Sequence, residues 1–228
     1  MITRAGFLRG ATLLAVGSFT APFARAADTV ADLEGTIHGA EKVVADLRHD
    51  KAFGNARQLL RSARGVMIVP QLLKGGFIVG GEGGQGVIMV RTSGGWSQPA
   101  FYVIGAASLG LQIGAQAAEM VLFFMTEKGL QGVLRNEFKI GAQAGLTVIT
   151  LGSNVEGAVG GPTPPDIVVW ASSSGLYGGL TIDGSIIRAQ PNKDSLFYGR
   201  RVTSRDVLYG SLESPRTGTL RRELSELA

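Results

Sequence analysis

Glycine is concentrated in one stretch of this 228-residue sequence, and that stretch limits the folds that the chain can adopt. Seven of the twelve residues at 75–86 are glycine. Short apolar segments surround it, separated by glycine, serine or proline, which is typical of sequential strands. These segments are residues 66–69, 77–79, 87–90 and 101–104. Glycine at this density within strands indicates bends, bulges and close backbone approach, as in a strongly curved sheet.

The second half of the chain continues the β pattern. Residues 109–117 and 138–148 alternate apolar side chains with small or polar ones, which predicts two strands with one apolar face each. Between them, the sequence predicts an apolar strand at 120–125 and a short helix at 126–135. Further strands are predicted at 167–170, 176–182 and 186–189. We therefore expect an α+β fold: a glycine-rich, mainly antiparallel, β-barrel-like sheet with amino-terminal amphipathic helices and short inserted helices.

The first 26 residues have the features of an export signal. Arg4 and Arg9 precede an apolar run at 11–19, and a small-residue site at 24–26 follows. Such a run is too short to cross about 30 Å of hydrocarbon as a helix. The sequence thus predicts a periplasmic or secreted protein, in solution or peripheral to a membrane.

The remaining residues contain no convincing linker. One domain is expected at 27–210, with a helical region at 27–64, a β core at 65–190 and a closing segment at 191–210. Residues 211–228 are rich in arginine and glutamate and are expected to form a polar carboxyl-terminal tail or a short helix.

Charge and residue types exclude several classes of function. Removal of the three arginines of the signal leaves a net charge of about +1 at pH 7, so a nucleic-acid partner is not expected. The chain has no cysteine and only two histidines, which disfavours metal sites and a cysteine nucleophile. Residues 81–86 match the spacing of a dinucleotide-binding loop, but a strand, not a helix, is predicted after them. We expect no catalytic residue, no metal and no cofactor.

Two helices are expected ahead of the sheet. Apolar residues at spacings of three and four predict an amphipathic helix at 28–47, and a second helix is predicted at 52–63. Charge is segregated between them. Residues 28–46 hold five acids and one base, whereas residues 48–64 hold five bases and one acid. The two helices are therefore expected to attract each other.

The second helix carries the candidate binding residues. Arg57, Arg61 and Arg64 recur at i, i+4 and i+7 on one face, and Lys74 extends this basic stripe. Cations at an anionic bilayer contribute about 1 kcal/mol each, which makes these four the candidate lipid-binding residues. The alternative is a solvated helix face whose charges pair with the acids of the preceding helix.

A second basic cluster lies near the carboxyl end. Arg200, Arg201 and Arg205 are close together in the sequence. Two interpretations stay open: the cluster joins the basic stripe, or its arginines pair with Asp194 and Asp206.

Several blocks resemble the SYLF family of lipid-binding domains, in order and in spacing. The first is Ala-Arg-Gly-Val-Met-Ile-Val-Pro at residues 63–70, followed by the glycine-rich segment at 74–86. The others lie at 109–116, 121–126, 175–185 and 192–210. The last includes Phe197-Tyr198-Gly199 and Asp-Val-Leu-Tyr-Gly at 206–210.

The resemblance implies a lipid-binding module without enzymatic activity. Eukaryotic members of the family bind phosphoinositide membranes, and some bind actin. The predicted export signal would place this chain where neither is expected, so an anionic phospholipid or membrane surface is the expected partner. Membrane binding in the family involves an amphipathic amino-terminal helix and nearby basic residues, which here would match the helical region with Arg57, Arg61 and Arg64. The alternative is a periplasmic scaffold or protein-interaction module without lipid specificity, whose protein partner is unknown.

Overall fold

The computed structural model describes residues 27–49, 54–76, 79–109, 114–135, 137–140, 148–151, 165–171 and 184–227. The predicted export signal and the predicted strand at 176–182 lie outside these residues. The helices are α1 (Val30–His49), α2 (Gly54–Ser62), α3 (Glu127–Val133), α4 (Pro191–Tyr198), α5 (Ser204–Tyr209) and α6 (Gly218–Leu227). The strands are β1 (Gly65–Gly76), β2 (Val79–Thr92), β3 (Gly95–Trp96), β4 (Ala100–Leu109), β5 (Gly114–Phe124), β6 (Glu137–Lys139), β7 (Val148–Leu151), β8 (Ile167–Ala171) and β9 (Ile186–Ala189). Within the described part of the chain, no helix combines the length and apolar character needed to cross a bilayer.

The strands form one sheet in the order β6-β9-β4-β2-β1-β5-β8-β7, with β3 paired to β2. The pair β7 and β8 is parallel. The other described pairs are antiparallel. The sheet curls into a half-barrel, which confirms the predicted α+β class with a mainly antiparallel, curved sheet.

Helices cover both faces of the sheet. Side chains alternate between the two faces of a strand, so Val66 and Met67 belong to different apolar clusters. Helices α1, α2 and α6 pack on the face of Val66. Helices α3 and α5 pack on the face of Met67. Coverage on both sides explains why residues 66–69 form an unbroken apolar run, each at most 1 % exposed.

Helix α1 confirms the helix predicted from the apolar stripe, and it lies close against the sheet. Thr29 and Asp32 cap its start: the Asp32 amide donates to Thr29 Oγ1 at 3.2 Å, and the Thr29 amide donates to Asp32 Oδ2 at 2.8 Å. Gly39 faces Pro70 of β1, and a Cβ added to Gly39 would lie 2.6 Å from Pro70 Cβ. The glycine, which lowers helix propensity, is thus required for close helix–sheet contact.

A β-bulge explains part of the glycine-rich sequence. The register of β1 against β2 shifts between Ile68 and Gln71. Opposite this bulge, a Cβ added to Gly86 would lie 2.3 Å from the Ile68 carbonyl oxygen. Residues 81–86 are therefore part of a strand that runs against a bulge. The glycine spacing that resembles a dinucleotide-binding loop has a packing origin here.

The structure differs from the prediction at the strand expected for residues 109–117. Strand β4 ends at Leu109, and β5 begins at Gly114 and runs without a break to Phe124. The predicted apolar strand at 120–125 is thus the second half of β5. In the sheet, β2 and β1 lie between β4 and β5, so these are two separate strands, and residues 110–113 between them lie outside the described part of the chain. The alternation of apolar and small residues continues across both strands in the sequence, so this pattern alone does not show where one strand ends.

The segment expected to form a polar tail or a short helix contains a packed helix. Leu220, Leu224 and Leu227 recur at i, i+4 and i+7 in α6 and are 0 %, 0 % and 7 % exposed. They belong to the same apolar cluster as α1. Charged residues between them hid the apolar stripe, but its helical spacing was present in the sequence.

Candidate functional site

Helix α2 brings three of the four candidate lipid-binding residues together. Leu59 and Leu60 anchor the helix in the core and are 2 % and 1 % exposed. Arg57 is half-buried, while Arg61 and Arg64 are exposed. The three arginines therefore lie within or just after one short helix.

Two of these arginines bind the carboxyl ends of other helices. Arg57 Nη1 donates to the Arg48 carbonyl oxygen in the last turn of α1, at 2.8 Å. Arg61 Nε donates a longer bond, 3.5 Å, to the Leu227 carbonyl oxygen at the end of α6. The last carbonyls of a helix lack intrahelical partners and carry partial negative charge, so a cation there stabilises the helix.

Arg91 of β2 completes this arrangement. Its Nη2 donates to the Leu60 carbonyl oxygen at 2.8 Å, and its Nε donates to the Ala63 carbonyl oxygen at 3.0 Å. Its Cζ lies 4.5 Å from the centre of the Trp96 ring, which is a cation–π contact. The Arg91 amide also donates to the Arg64 carbonyl oxygen at 2.7 Å. We call Arg57, Arg61, Arg64 and Arg91 the α2 arginine cluster.

The acids of α1 do not pair with the cluster, contrary to the alternative derived from the sequence. Each of the five acids of this region has another described contact. Asp28 contacts Lys193, Asp32 caps the helix, Glu34 contacts Arg216, Glu41 contacts His38 and Asp46 contacts Lys42. Among the described residues, no carboxylate forms an ion pair with the α2 arginine cluster.

Lys74, the fourth candidate, is not part of this cluster. It lies in β1, where its Cα pairs with those of Glu82 and Gln116, and its side chain lies outside the described part of the chain. It lies nine positions after Gly65 at the start of β1, which corresponds to roughly 30 Å of strand. The predicted stripe treated Lys74 as a continuation of the helical spacing of the arginines. Because β1 is an extended strand, Lys74 lies far from Arg64.

Replacing Arg91 with alanine is expected to destabilise the protein by about 2 kcal/mol, because two charge-assisted bonds are lost, one to the Leu60 carbonyl of α2 and one to the Ala63 carbonyl just after it. Chemical denaturation monitored by circular dichroism measures this change. Arg222→Ala is the matched control, since Arg222 is an exposed arginine with no described bond. Equal stability of the two variants would contradict the capping role of Arg91.

Comparisons with known proteins agree with the family resemblance of the sequence blocks. A family model described as "Las17-binding protein actin regulator", Ysc84, matches residues 105–227, just over half of the chain. Protein YSC84 of Saccharomyces cerevisiae is 29% identical over 163 residues, which cover 69% of this chain and 34% of the yeast protein. SH3 domain-containing YSC84-like protein 1 of Xenopus laevis is 26% identical over 172 residues, covering 74% and 50%. The same protein of Homo sapiens is 25% identical over 159 residues, covering 69% and 46%.

The chain thus spans half or less of the length of these curated relatives. The α2 arginine cluster lies before residue 105, outside the segment that the family model matches. Strand β5, helices α3 to α6 and half of β4 lie within that segment. On this coverage, the chain belongs to the Ysc84 family, which is the SYLF family that its sequence blocks resemble.

Proposed function

We propose that this protein is a non-enzymatic lipid-binding protein of the bacterial envelope that contacts anionic phospholipid through the α2 arginine cluster. The predicted export signal supports a location in the periplasm or outside the cell. The α2 arginine cluster is the observation that carries the proposal. Its four arginines lie in or beside α2, and among the described residues none of them forms an ion pair with a carboxylate.

The geometry of these arginines suits phosphate groups. A guanidinium has five N–H donors in a planar fork that matches phosphate oxygens. Arg57 and Arg61 each donate one described bond to a helix carbonyl, so both retain their charge and further donors. The carbonyl contacts also hold the side chains in place, which lowers the entropy lost when a headgroup binds.

The contact proposed here is electrostatic and does not require insertion of α1. The apolar stripe of that helix, which includes Leu33, Ile37 and Val44, is at most 2 % exposed. Its burial in the core makes the stripe unavailable to a bilayer while the domain is folded. Binding should therefore require anionic lipid and weaken as salt screens the surface charges.

The charge reversal Arg61→Glu with Arg64→Glu is expected to weaken binding to anionic vesicles at least a hundredfold. Two attractive charges worth about 1 kcal/mol each are lost, and two repulsive charges replace them. Arg61 donates only one long bond and Arg64 has no described side-chain bond, so the fold should persist. Co-sedimentation with phosphatidylglycerol-containing vesicles across a salt series measures the affinity.

The matched control is Arg135→Glu with Lys139→Glu. Both side chains are exposed, and they lie after α3 and in β6, away from α2. The control has the same change in net charge and should bind nearly as well as the unmodified protein. If the folded Arg61→Glu, Arg64→Glu variant binds as tightly as this control, the lipid contact is not at α2.

The second candidate function is a scaffold or protein-interaction module. The family description names a protein, Las17, as a ligand of the family, and this favours a protein partner. Vesicle binding and capture of a protein partner distinguish the two functions. Failure to bind both neutral and anionic vesicles, together with capture of a partner that does not depend on lipid, would favour the scaffold.

A further inference from the structure

Helix α5 and the residues just before it display basic and aromatic side chains that the proposed function does not use. Arg200, Arg201 and Arg205 are all exposed. Among the described residues, none of these arginines forms an ion pair with a carboxylate. Tyr209 is 46 % exposed, and Arg205 Cζ lies 5.5 Å from the centre of its ring. We call these four residues the α5 basic surface.

This surface is not part of the α2 arginine cluster. Helix α4, which packs beside α5, bonds to the start of α1 through Lys193 and Asp28, whose side chains are 3.0 Å apart. Helix α2 bonds to the other end of α1 through Arg57 and the Arg48 carbonyl oxygen. The 20 residues of α1 span about 30 Å between these two contacts. The two groups of arginines are therefore separate sites.

The first acid that the sequence offered as a partner, Asp194, is engaged inside the fold. It is fully buried and accepts bonds of 2.7 Å from the Phe101 amide of β4 and from Ser204 Oγ at the start of α5. These bonds hold α4, α5 and β4 together. A ligand of the α5 basic surface would thus meet side chains on a fixed support, which lowers the entropy lost on binding.

The second acid, Asp206, is engaged at the start of α5. The Thr203 amide and hydroxyl donate to Asp206 Oδ2 at 2.8 and 2.7 Å and form the capping box of the helix. These bonds, and to a smaller extent the charge of Arg200, lower the pKa of Asp206. Since both acids serve the fold, the three arginines keep their charge for a partner.

An acid on the neighbouring helix α3 favours a protein partner over a bilayer. Gln131 Nε2 donates to Glu127 Oε1 at 2.8 Å, and the Gln131 side chain is also within hydrogen-bonding reach of Tyr209. Burial and the charge of Glu127 raise the pKa of Tyr209. Glu127 is exposed, so a flat anionic bilayer against Tyr209 would also face this carboxylate and be repelled by it. A polypeptide can place its acids over the arginines alone.

We propose that the α5 basic surface binds an acidic segment of a partner protein. Carboxylates of the segment pair with the three arginines, whose planar guanidinium groups match them, and an aromatic or aliphatic side chain packs against Tyr209. Arginine and tyrosine are among the residues most enriched at the energetic centres of protein interfaces. This contact goes beyond the proposed lipid contact at α2 and does not depend on it.

Peptide binding in the absence of lipid tests the inference. The probe is a fluorescein-labelled synthetic peptide of Asp and Glu residues around one Phe and one Leu. A second peptide, with Asn and Gln in place of the acids, is the neutral control. We expect fluorescence anisotropy to show saturable binding of the acidic peptide that weakens with salt, and no binding of the neutral peptide.

The variant Arg201→Glu with Arg205→Glu is expected to bind the acidic peptide about thirtyfold more weakly, because two attractive charges become repulsive. Arg200 is retained because its charge supports the capping carboxylate Asp206. The matched control is Lys139→Glu with Arg222→Glu, two exposed residues in β6 and α6. It has the same change in net charge and should bind the peptide nearly as well as the unmodified protein.

A further variant, Tyr209→Ser, tests the apolar part of the contact. It keeps all three arginines and is expected to bind the acidic peptide about fivefold more weakly, since the ring no longer packs against the Phe or Leu of the peptide. Far-ultraviolet circular dichroism shows whether each variant is folded. Binding by the folded Tyr209→Ser protein that equals binding by the unmodified protein would contradict the proposed contact.

The outcomes distinguish this inference from the proposed function. Absence of acidic-peptide binding, or equal binding by the Arg201→Glu, Arg205→Glu variant and its control, overturns the inference. If that variant binds the peptide normally but loses binding to phosphatidylglycerol-containing vesicles, the surface contacts lipid and the inference is wrong. Because the peptide assay contains no lipid, a failure of the proposed function appears only in the vesicle assay.

Discussion

Gly86→Ala is expected to destabilise the protein by about 3 kcal/mol, the upper end of the usual cost of overpacking. The added methyl group would lie 2.3 Å from the Ile68 carbonyl oxygen and 2.9 Å from Val69 Cγ2. The first neighbour is backbone within the β-bulge of β1, so it cannot move aside as a side chain does. Relief requires β1 and β2 to separate or the bulge to reorganise, and both disturb the centre of the sheet.

Gly81→Ala in the same strand is the matched control. There the nearest atom to an added Cβ is the Ala106 carbonyl oxygen at 3.5 Å, which is an ordinary contact. Alanine also costs less backbone entropy than glycine on folding, so this variant should be neutral or slightly more stable. Thermal and urea unfolding of the two variants measure the difference. Equal stability would mean that the bulge accommodates a side chain and that glycine is not required opposite it.

Asp194→Asn is expected to make the protein more stable at pH 7, by about 3 kcal/mol, and to remove a pH dependence between pH 4 and 6. Burial of this carboxyl raises its pKa to about 6, against an ordinary value of 3.8. Between these values the folded protein holds a proton that the unfolded chain has released. Stability from this group is therefore complete below about pH 4 and is lost as the pH rises through 6. Asparagine has no proton to lose there.

Hydrogen bonding at this position survives the change to asparagine. The amide oxygen can accept from the Phe101 amide as Asp194 Oδ1 does, and the amide nitrogen can donate to Ser204 Oγ. Urea unfolding at pH values from 3.5 to 7.5 gives the difference in free energy of unfolding between the variant and the unmodified protein at each pH. If the free energies of unfolding of the two proteins change with pH in the same way, the raised pKa of Asp194 is contradicted.

Asp206→Asn is expected to change the stability at neutral pH in the opposite direction from Asp194→Asn. Hydrogen bonds from Thr203 lower the pKa of Asp206 below its ordinary value, so this carboxylate stabilises the fold when charged. Its contribution is present above about pH 4 and disappears as the pH falls through the lowered pKa. The Asp206→Asn variant should therefore be less stable than the unmodified protein at neutral pH and approach it in acid.

The sequence alone determined the elements whose signal is local and periodic. The apolar stripe of α1, the unbroken run at 66–69 and the helix α3 were all readable from spacing, because burial of one face or of both faces imposes a period on neighbouring residues. The density of glycine indicated a curved sheet with bulges, which the half-barrel contains. The order of the sequence blocks was enough to predict the family.

Only the tertiary structure decided which distant residues meet. Arg57 and Arg61 were identified by their helical spacing, but nothing local in the sequence indicates that they bind the carbonyl ends of α1 and α6. Arg91 joins them from a strand about 30 residues along the chain, because the register of β2 against β1 brings it beside α2. Lys74 is separated from them because β1 is extended. Helical and strand periods are properties of neighbours in the chain, whereas these contacts depend on register, strand reversal and packing that no short segment encodes.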